Sequence, residues 1–454
     1  MTQATTETEL GTGLKTRHLT MMGLGSAIGA GLFLGTGVGI AAAGPAVLIA
    51  YVLAGIFVVF VMQMLGELAA ARPASGSFSV YAEQAFGHWA GFSLGWLYWF
   101  MLTMVLGAEM TGAAAIMGQW FDIAPWIPAL ICVIFFAVVN LARVSGFGEF
   151  EFWFAFIKVA VIIFFLVIGV LLIFGLLPNH DFVGTQNFLG DGFMPNGISG
   201  VATGLLAVAF AFGGIEIVTI AAAESEDPKT AIATAVRSVI WRISLFYLGS
   251  VLVICFLIPF SSIGGAKSAA ESPFTIILGM ANIPGVVGFM EAVIVLALLS
   301  AFNAQIYATS RIVHSFAVRA AAPRLFAATP PSGVPMPAVL LSMFFAFVSV
   351  GLQYWNPAGL LNFLLNAVGG CLIVIWVIIA FAYLKLHPEL VRNGEITTVR
   401  MWGFPWLGWV TIAGFLGLTV LMLTDDASRS QITSVTVVFL LLIVVSFFTK
   451  KKSK

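Results

Sequence analysis

Long apolar segments separated by short polar ones run along the whole chain. A transmembrane α-helix needs about 20 mostly apolar residues to cross about 30 Å of hydrocarbon. Twelve segments approach this length, at residues 19–43, 46–71, 88–116, 126–143, 152–177, 199–223, 237–260, 287–313, 336–354, 358–384, 405–423 and 431–449. The loops between them carry turn residues, as in Ala43-Gly44-Pro45. The pattern predicts an all-α integral membrane protein with twelve transmembrane helices.

Glycine interrupts two of these segments. The first has five glycines among the thirteen residues from Gly23 to Gly35, and each costs a helix about 1 kcal/mol relative to alanine. The sixth is interrupted at Phe210-Ala211-Phe212-Gly213-Gly214. Unwound backbone inside a bilayer has to be satisfied by protein, water or a bound solute. Broken helices at corresponding places in two halves are typical of transporters with a midplane substrate site.

The two breaks also predict how the chain is divided. If they mark equivalent helices, spans 1–5 and 6–10 form two repeats, and an odd number of spans makes the second inverted relative to the first. The predicted divisions are a tail at 1–17, a transporter core at 18–384 with repeats at about 18–177 and 198–384, helices 11–12 within 385–449, and a basic tail at 450–454.

The first break is predicted to bind a carboxylate. Its lining residues are Ser26, Ala27, Ile28, Gly29 and Gly31. Unwinding frees backbone N–H groups, and a helix that restarts near Gly29 directs the positive end of its dipole into the gap. The Ser26 hydroxyl adds a donor. Close helix packing is the alternative, because glycines recur here at a spacing of four.

The second break is predicted to bind an ammonium group. The carbonyls of Phe210, Ala211 and Gly213 would accept hydrogen bonds from it, so the two breaks together suit a zwitterion. Phe212 would cover the bound solute, although both phenylalanines could instead face lipid. Asn303 in span 8 is a further candidate for substrate binding, with interhelical hydrogen bonding as the default alternative.

Four charged residues lie within the predicted spans: Lys158, Glu109, Glu216 and Glu291. Each costs about 2.5–3.5 kcal/mol at mid-span and therefore needs a partner or a function. A buried amine loses its proton more readily than one in water, so Lys158 is a candidate proton carrier or a fixed cation paired with a carbonyl. Glu216 either pins the second break or handles protons, and Glu109 is a further proton-coupling candidate. Glu291 lies near a membrane surface that its side chain can reach.

Composition excludes several classes of function. Hydrophobic residues make up 60% of the 454 positions and charged residues 9%, whereas soluble domains are about one quarter charged. Twenty basic and twenty acidic residues cancel, which argues against a nucleic-acid partner. Three cysteines and five histidines show no metal-ligand spacing. No metal site, cofactor or catalytic cluster is predicted, so an enzyme is the weaker class.

Basic residues are distributed unequally between the two sides of the membrane. One side has Lys267 and Arg429. The other has Lys15, Arg17, Arg72, Arg143, Lys229, Arg237, Arg242, Arg311, Arg319, Arg324, Lys385, Arg392, Arg400 and the lysines of 450–454. Because cytoplasmic loops carry the excess of Lys and Arg, both termini are predicted to be cytoplasmic.

Several ordered sequence blocks carry a family resemblance. They are Arg17-His18-Leu19-Thr20-Met21 before Gly25–Gly31, Gly66-Glu67-Leu68, Pro73-Ala74-Ser75-Gly76-Ser77-Phe78, Gly95-Trp96-Leu97-Tyr98-Trp99, the stretch from Phe212 to Pro228, and Trp241-Arg242-Ile243. Over nearly its whole length the chain resembles bacterial proton-coupled permeases of the amino acid–polyamine–organocation superfamily.

The resemblance implies a LeuT-type fold of two inverted five-helix repeats with helices 1 and 6 broken. It implies proton symport of an amino acid across a bacterial plasma membrane, with Lys158 in the place that sodium holds in sodium-coupled relatives. Within the family the chain is most similar to actinobacterial aromatic amino acid permeases. An apolar pocket wall of Leu102 and Val105 suits phenylalanine, tyrosine or tryptophan, and equally leucine or methionine. An exchanger of the same fold is the alternative function.

Overall fold

Backbone polar groups find no water in hydrocarbon, so a chain this apolar satisfies them within helices. The computed structural model describes residues 21, 25, 28–74, 76–141, 144–221, 225, 227–263, 272–329, 333–357 and 359–449. Throughout these ranges the regular secondary structure is helical. The prediction of an all-α protein is confirmed.

The first half of the chain begins with a π-helical turn at Gly31–Gly35. It continues through α1 (Thr36–Ala43), α2 (Val47–Ala71), α3 (Phe78–Phe86), α4 (His88–Phe121), α5 (Trp126–Leu141), α6 (Val144–Ile173) and α7 (Gln186–Leu189). Gly44 separates α1 from α2 with a φ of 64°, a conformation that suits glycine. The two helices are therefore distinct elements joined by a tight turn.

The second half begins with the other broken helix. Its helices are α8 (Gly197–Ala211), α9 (Ile217–Ala221), α10 (Pro228–Trp241), α11 (Gly249–Leu257), α12 (Pro273–Met280), α13 (Val286–Val318), α14 (Met336–Trp355), α15 (Leu360–Arg392), α16 (Trp406–Met422) and α17 (Asp426–Phe448). A π-helical segment at Arg242–Leu248 joins α10 to α11. Asp425 caps the start of α17, where its side chain accepts from Ser428 N.

The membrane spans correspond to the twelve predicted segments. Among the described residues, eight helical stretches are long and apolar enough to cross a membrane, and three shorter apolar helices accompany them. One of the eight, Gly31–Ala71, contains the predicted spans 1 and 2. Both predicted breaks are present, at residues 28–29 and 212–216. The fold-class prediction is confirmed.

Several helices are longer than their apolar segments. The helix of span 7 begins at Pro228 rather than at residue 237, and that of span 10 ends at Arg392 rather than at 384. Hydropathy marks only the part of a helix that lies in hydrocarbon, while hydrogen bonding continues into the polar region. The short helices α3, α7 and α12 form where loops are predicted.

The centre of the bundle is built on α4, against which both α13 and α15 pack, and all three helices are largely buried. Helix α8 packs against both α1 and α15. Helix α17 lies at the periphery with most of its surface facing outward. The broken helices therefore lie inside the protein, not against lipid.

A buried carboxylate joins α2 to the far end of α15. Glu67 is fully buried, and its Oε1 lies 2.5 Å from His387 Nδ1. Its Oε2 accepts from Met401 N at 2.7 Å. These bonds give Glu67 a structural role, because both of its carboxylate oxygens tie separate segments together.

An ion cluster ties the end of α2 to the segment that follows α15. Arg72 Nε and Nη2 donate to the two Glu395 oxygens at 2.6 and 2.8 Å. Arg72 Nη2 also donates to Glu389 at 2.8 Å. The hydrogen bonds from Arg72 lower the pKa of Glu395 to about 2. Such a bidentate pair has a fixed geometry, so it holds the α2–α3 loop against α15.

Glu395→Gln tests this cluster through its pH dependence. Because the folded-state pKa lies below the ordinary 4.5, the ionised carboxylate stabilises the fold above about pH 4.5 and loses this effect as pH falls towards 2. At pH 7 we expect the variant to lose up to about 1 kcal/mol of stability. Melting temperatures of wild type and variant in detergent measure the difference in stability. We expect this difference to become smaller below about pH 4.5. Asp191→Asn, on an exposed loop, is the control, and a difference independent of pH would contradict the assignment.

Candidate functional site

The two breaks lie directly against each other. A Cβ added at Gly31 would lie 2.8 Å from Ala211 Cα and 3.2 Å from the Phe210 carbonyl oxygen. One turn further along, Gly35 faces the Phe210 ring and the Ala207 carbonyl. Gly31 meets Ala211 and Gly35 meets Ala207. Residue numbers therefore rise along the first helix as they fall along α8, so the two helices run antiparallel. The glycines therefore permit close packing, and this packing brings the breaks together.

The first break places a protein carboxylate at the start of the helix. The helix resumes at Ala30 after a bend at Gly29. Ala30 N donates to both oxygens of Glu109, at 3.1 and 3.0 Å. Leu32 N and Phe33 N donate to the Gly29 carbonyl. Glu109 thus holds part of the position predicted for a substrate carboxylate, because an anion is favoured at this helix end.

The remaining residues predicted for this break are placed as follows. Ile28 is buried, and its N–H donates to the Gly25 carbonyl at 3.0 Å. Gly29 packs so closely that a Cβ there would lie 2.5 Å from Glu109 Oε1. Ser26 and Ala27 lie outside the described residues. The break is therefore narrow, and its walls include Glu109 and the backbone of α8.

Lys158 is completely buried and reaches the first break from α6. Its Nζ donates to the Gly25 carbonyl at 3.2 Å. Gly25 itself abuts Ala155, one turn earlier on α6. Glu109 and Glu151 are the carboxylates that act electrostatically on Lys158. The carbonyl partner weighed in the sequence analysis is present, and the amine also lies in the field of two carboxylates.

The second break is a five-residue turn at 212–216 between α8 and α9. Gly213 N donates to the Phe210 carbonyl at 2.9 Å. Gly214 has a φ of 89°, which favours glycine, and its N–H donates to Glu216 Oε1 at 3.3 Å. Glu216 therefore pins the turn through a backbone N–H. The Phe210 carbonyl keeps a second lone pair with which to accept from a solute.

The two phenylalanines of this break are buried in the protein. Phe212 is fully buried, and its ring stands edge-on to Tyr51 at a centroid distance of 5.7 Å. It also lies 5.2 Å from the Tyr247 ring. Phe210 is buried against Gly35. Their side chains therefore do not face lipid, which was the alternative weighed above.

One face of α4 connects the two breaks. Tyr98, Leu102, Val105 and Glu109 follow one another at spacings of four, three and four, which places them on the same side of a helix. Glu109 lies at the first break, and Tyr98 lies beside Glu216 at the second. The buried Leu102 and Val105 lie between them. They form an apolar surface between two polar ends.

Glu151 is not among the predicted site residues, because span 5 is predicted to begin at residue 152. The residue is buried. Its Oε2 accepts from Ser300 Oγ at 3.0 Å and its Oε1 from Asn303 Nδ2 at 3.5 Å. Asn303 also accepts from Asn140, so its amide bonds are interhelical. The spacing of seven to Lys158 was the available signal, because it places both residues on one helix face.

The remaining charged and thiol side chains considered from the sequence are Glu291 and the three cysteines. Glu291 is half-exposed and accepts from Trp120 Nε1 at 2.7 Å. Cys132, Cys255 and Cys371 are free thiols. Within the described ranges, no group of three His, Cys, Asp or Glu side chains could hold a metal ion.

Comparison with known proteins gives one consistent result. The family model of the amino acid permeases matches residues 18–452. The aromatic amino acid transport protein AroP of Corynebacterium glutamicum is 75% identical over 97% of this chain and 95% of its own length. The γ-aminobutyric acid permease of Bacillus subtilis is 40% identical over 97% of this chain and 94% of its own length. The AroP protein of Escherichia coli is 32% identical over 98% of this chain and 97% of its own length.

Gly31→Ala and Gly35→Ala test the contact between the breaks. The methyl group at 31 would meet the Ala211 backbone, which cannot move independently, whereas the nearest atom at 35 is a ring carbon at 3.5 Å. We expect Gly31→Ala to lose about 1–3 kcal/mol through overpacking. Gly35→Ala should be neutral or slightly stabilising. Melting of the purified proteins in detergent compares them, and equal stabilities would contradict this packing.

Proposed function

This chain belongs to the amino acid permease family, and on that premise we propose that it imports neutral aromatic L-amino acids together with a proton. The family has the twelve-helix LeuT-type fold, and the relatives are transport proteins rather than enzymes. Transport by such proteins alternates access to a midplane site between the two repeats. The two facing breaks are where that site is expected.

The aromatic substrate class rests chiefly on one observation. A protein named for aromatic amino acid transport is identical at 75% of positions over nearly the whole chain. The apolar face of α4 at Leu102 and Val105 supports this assignment, because a large side chain can cover it. Leucine or methionine would also fit, and the γ-aminobutyric acid permeases at 40% identity show that the family includes other substrates. Phenylalanine, tyrosine and tryptophan are the substrates we propose.

The two breaks would hold the two charges of the amino acid. In this proposal the carboxylate binds at the N-terminal end of the resumed first helix, among Ser26, Ala27, Ile28, Gly29 and Gly31. The ammonium group binds carbonyls of Phe210, Ala211 and Gly213. Phe212 closes one side of the site. The apolar face of α4 receives the side chain.

Glu109 explains why a proton would accompany the substrate. Its carboxylate binds Ala30 N, at the helix end that the substrate carboxylate would approach. Two anions about 4 Å apart repel each other by about 4 kcal/mol at an effective dielectric constant of 20. Protonation of Glu109 removes this repulsion, so substrate and proton bind together. Lys158 responds to the change because it lies in the field of Glu109, and Glu216 contributes by fixing the second break.

The orientation of the protein follows from its basic residues. We propose that both termini are cytoplasmic and that the protein lies in a bacterial plasma membrane, because the loops on that side carry nearly all Lys and Arg. Residues 18–384 form the transporter core in this proposal, and the helices within 385–449 lie outside the repeats. Helix α6 then runs from the cytoplasmic side towards the outside.

Uptake into liposomes tests the function directly. Purified protein is reconstituted, and accumulation of labelled phenylalanine is measured with and without an inward proton gradient. We expect gradient-driven accumulation that unlabelled tyrosine and tryptophan inhibit. Accumulation of another amino acid alone would change the substrate assignment. Trans-stimulated flux without net accumulation would show an exchanger of the same fold.

Lys158→Gln tests proton coupling. Glutamine keeps an N–H donor but carries neither charge nor transferable proton, so we expect gradient-driven accumulation to fall by about tenfold or more, a typical coupling between two sites. Exchange of labelled for unlabelled phenylalanine should be retained. Lys385→Gln, at an exposed position near the end of α15, should transport normally. Intact pH-driven accumulation in Lys158→Gln would refute the role of Lys158.

A further inference from the structure

Glu151 lies on the same face of α6 as Lys158. Their separation of seven positions corresponds to about 10.5 Å along a helix axis, and helical side chains tilt towards the N-terminus. The Lys158 amine is therefore directed along the helix towards Glu151, and Glu151 acts on it electrostatically. In the proposed orientation, Glu151 lies on the cytoplasmic side of Lys158.

The amide groups around Glu151 have one consistent orientation. Asn140 Nδ2 donates to the Phe136 carbonyl at 2.9 Å, which can only accept. The same nitrogen donates to Asn303 Oδ1 at 2.7 Å. The Asn303 NH2 group must then face Glu151, whose Oε1 it approaches at 3.5 Å. This side of Glu151 thus offers it a donor, which favours the ionised carboxylate.

Ser300 can also form a hydrogen bond with the protonated form of Glu151. Its hydroxyl lies 3.0 Å from Glu151 Oε2, and a hydroxyl can donate or accept. When Glu151 is ionised, Ser300 donates to it. When Glu151 carries a proton on Oε2, that proton points to Ser300 Oγ, and the serine hydrogen can turn to a carbonyl of its own helix. Both protonation states of Glu151 are therefore hydrogen-bonded in this packing.

The charges around Glu151 leave room for one proton. Glu109, Glu151 and Lys158 together carry one net negative charge when all are ionised, and each is buried. Among the described side chains, the partners of Glu151 are the neutral Ser300 and Asn303 of α13, and Asn140 of α5 in turn donates to Asn303. Helices α11 and α12, which also pack on α6, contain no charged residue, and Cys255 is their one titratable group. One added proton makes the three-residue cluster neutral, and a neutral cluster is cheaper to bury.

We propose that Glu151 receives the transported proton from the Lys158–Glu109 pair and passes it to the cytoplasm, an inference that rests on the proposed symport. In this step an N–H bond of the Lys158 ammonium, or the O–H bond of Glu109, breaks, and an O–H bond forms on Glu151 Oε2. Water can bridge the two groups without altering this balance. Release of the proton to cytoplasmic water restores the carboxylate and its bonds from Ser300 and Asn303.

Glu151→Gln, Glu151→Asp and wild type are compared in liposomes that contain a pH-sensitive dye. Labelled phenylalanine reports accumulation and exchange, and the dye reports proton entry evoked by phenylalanine. Glu151→Gln keeps the size of the side chain and can accept from Asn303 and donate to Ser300 Oγ, but it cannot accept a proton as a carboxylate does. We expect it to lose about tenfold or more of accumulation and proton entry, with exchange within about twofold of wild type. Glu291→Gln, another glutamate on a membrane helix, is the matched control and should transport normally.

Each outcome decides a different point. Wild-type accumulation and proton entry in Glu151→Gln would overturn the role of Glu151 and leave the proposed symport intact. Equal loss of exchange and accumulation in both Glu151 variants would also overturn it, because a purely structural side chain behaves in this way. Partial recovery of accumulation in Glu151→Asp, with an altered dependence on external pH, would support proton transfer. A wild type without gradient-driven uptake would refute the symport and this inference with it.

Discussion

Every backbone polar group within the hydrocarbon region needs a partner, and the two unwound segments at the centre of the bundle meet this constraint with ionisable side chains. Ala30 N at the first break donates to Glu109, and Gly214 N at the second donates to Glu216. The Gly25 carbonyl accepts from Lys158. Since unsatisfied groups cost several kcal/mol each in lipid, these charged residues are needed for the breaks to exist, and the breaks in turn give the charges partners.

This mutual dependence connects structure with transport. A carboxylate that satisfies a helix end can be replaced there by another carboxylate, and loss of its charge frees the position. In the proposed mechanism the same residues stabilise the empty protein and respond to substrate and proton. Helix α4 holds Glu109 at one end of an apolar face and Tyr98 at the other, so the polar ends and the apolar wall of the proposed site share one rigid element.

Contacts from outside the bundle centre hold both breaks. Beyond the first break, Ser272 Oγ at the start of α12 donates to the Phe33 carbonyl at 2.8 Å. Beyond the second, the Ser77 and Thr219 hydroxyls lie 2.7 Å apart and link α3 to α9. These short helices lie between the spans, and each makes one hydrogen bond to a broken helix. Such single bonds can be exchanged at low cost when the helices move.

The sequence alone determined that the chain lies in a membrane and where its main helices are, because hydropathy and glycine content are local properties. It indicated twelve spans, both breaks, and Lys158, Glu109 and Glu216 as charges that require a function. Only the tertiary structure decided that Gly31 meets Ala211, that Glu109 binds Ala30, and that Asn303 faces Glu151. Residues distant in sequence make these contacts, and no local pattern records which helices pack together. Glu151 lies one residue outside a predicted apolar segment, where it resembles a surface charge, and its partners Ser300 and Asn303 come from α13, which is distant in sequence.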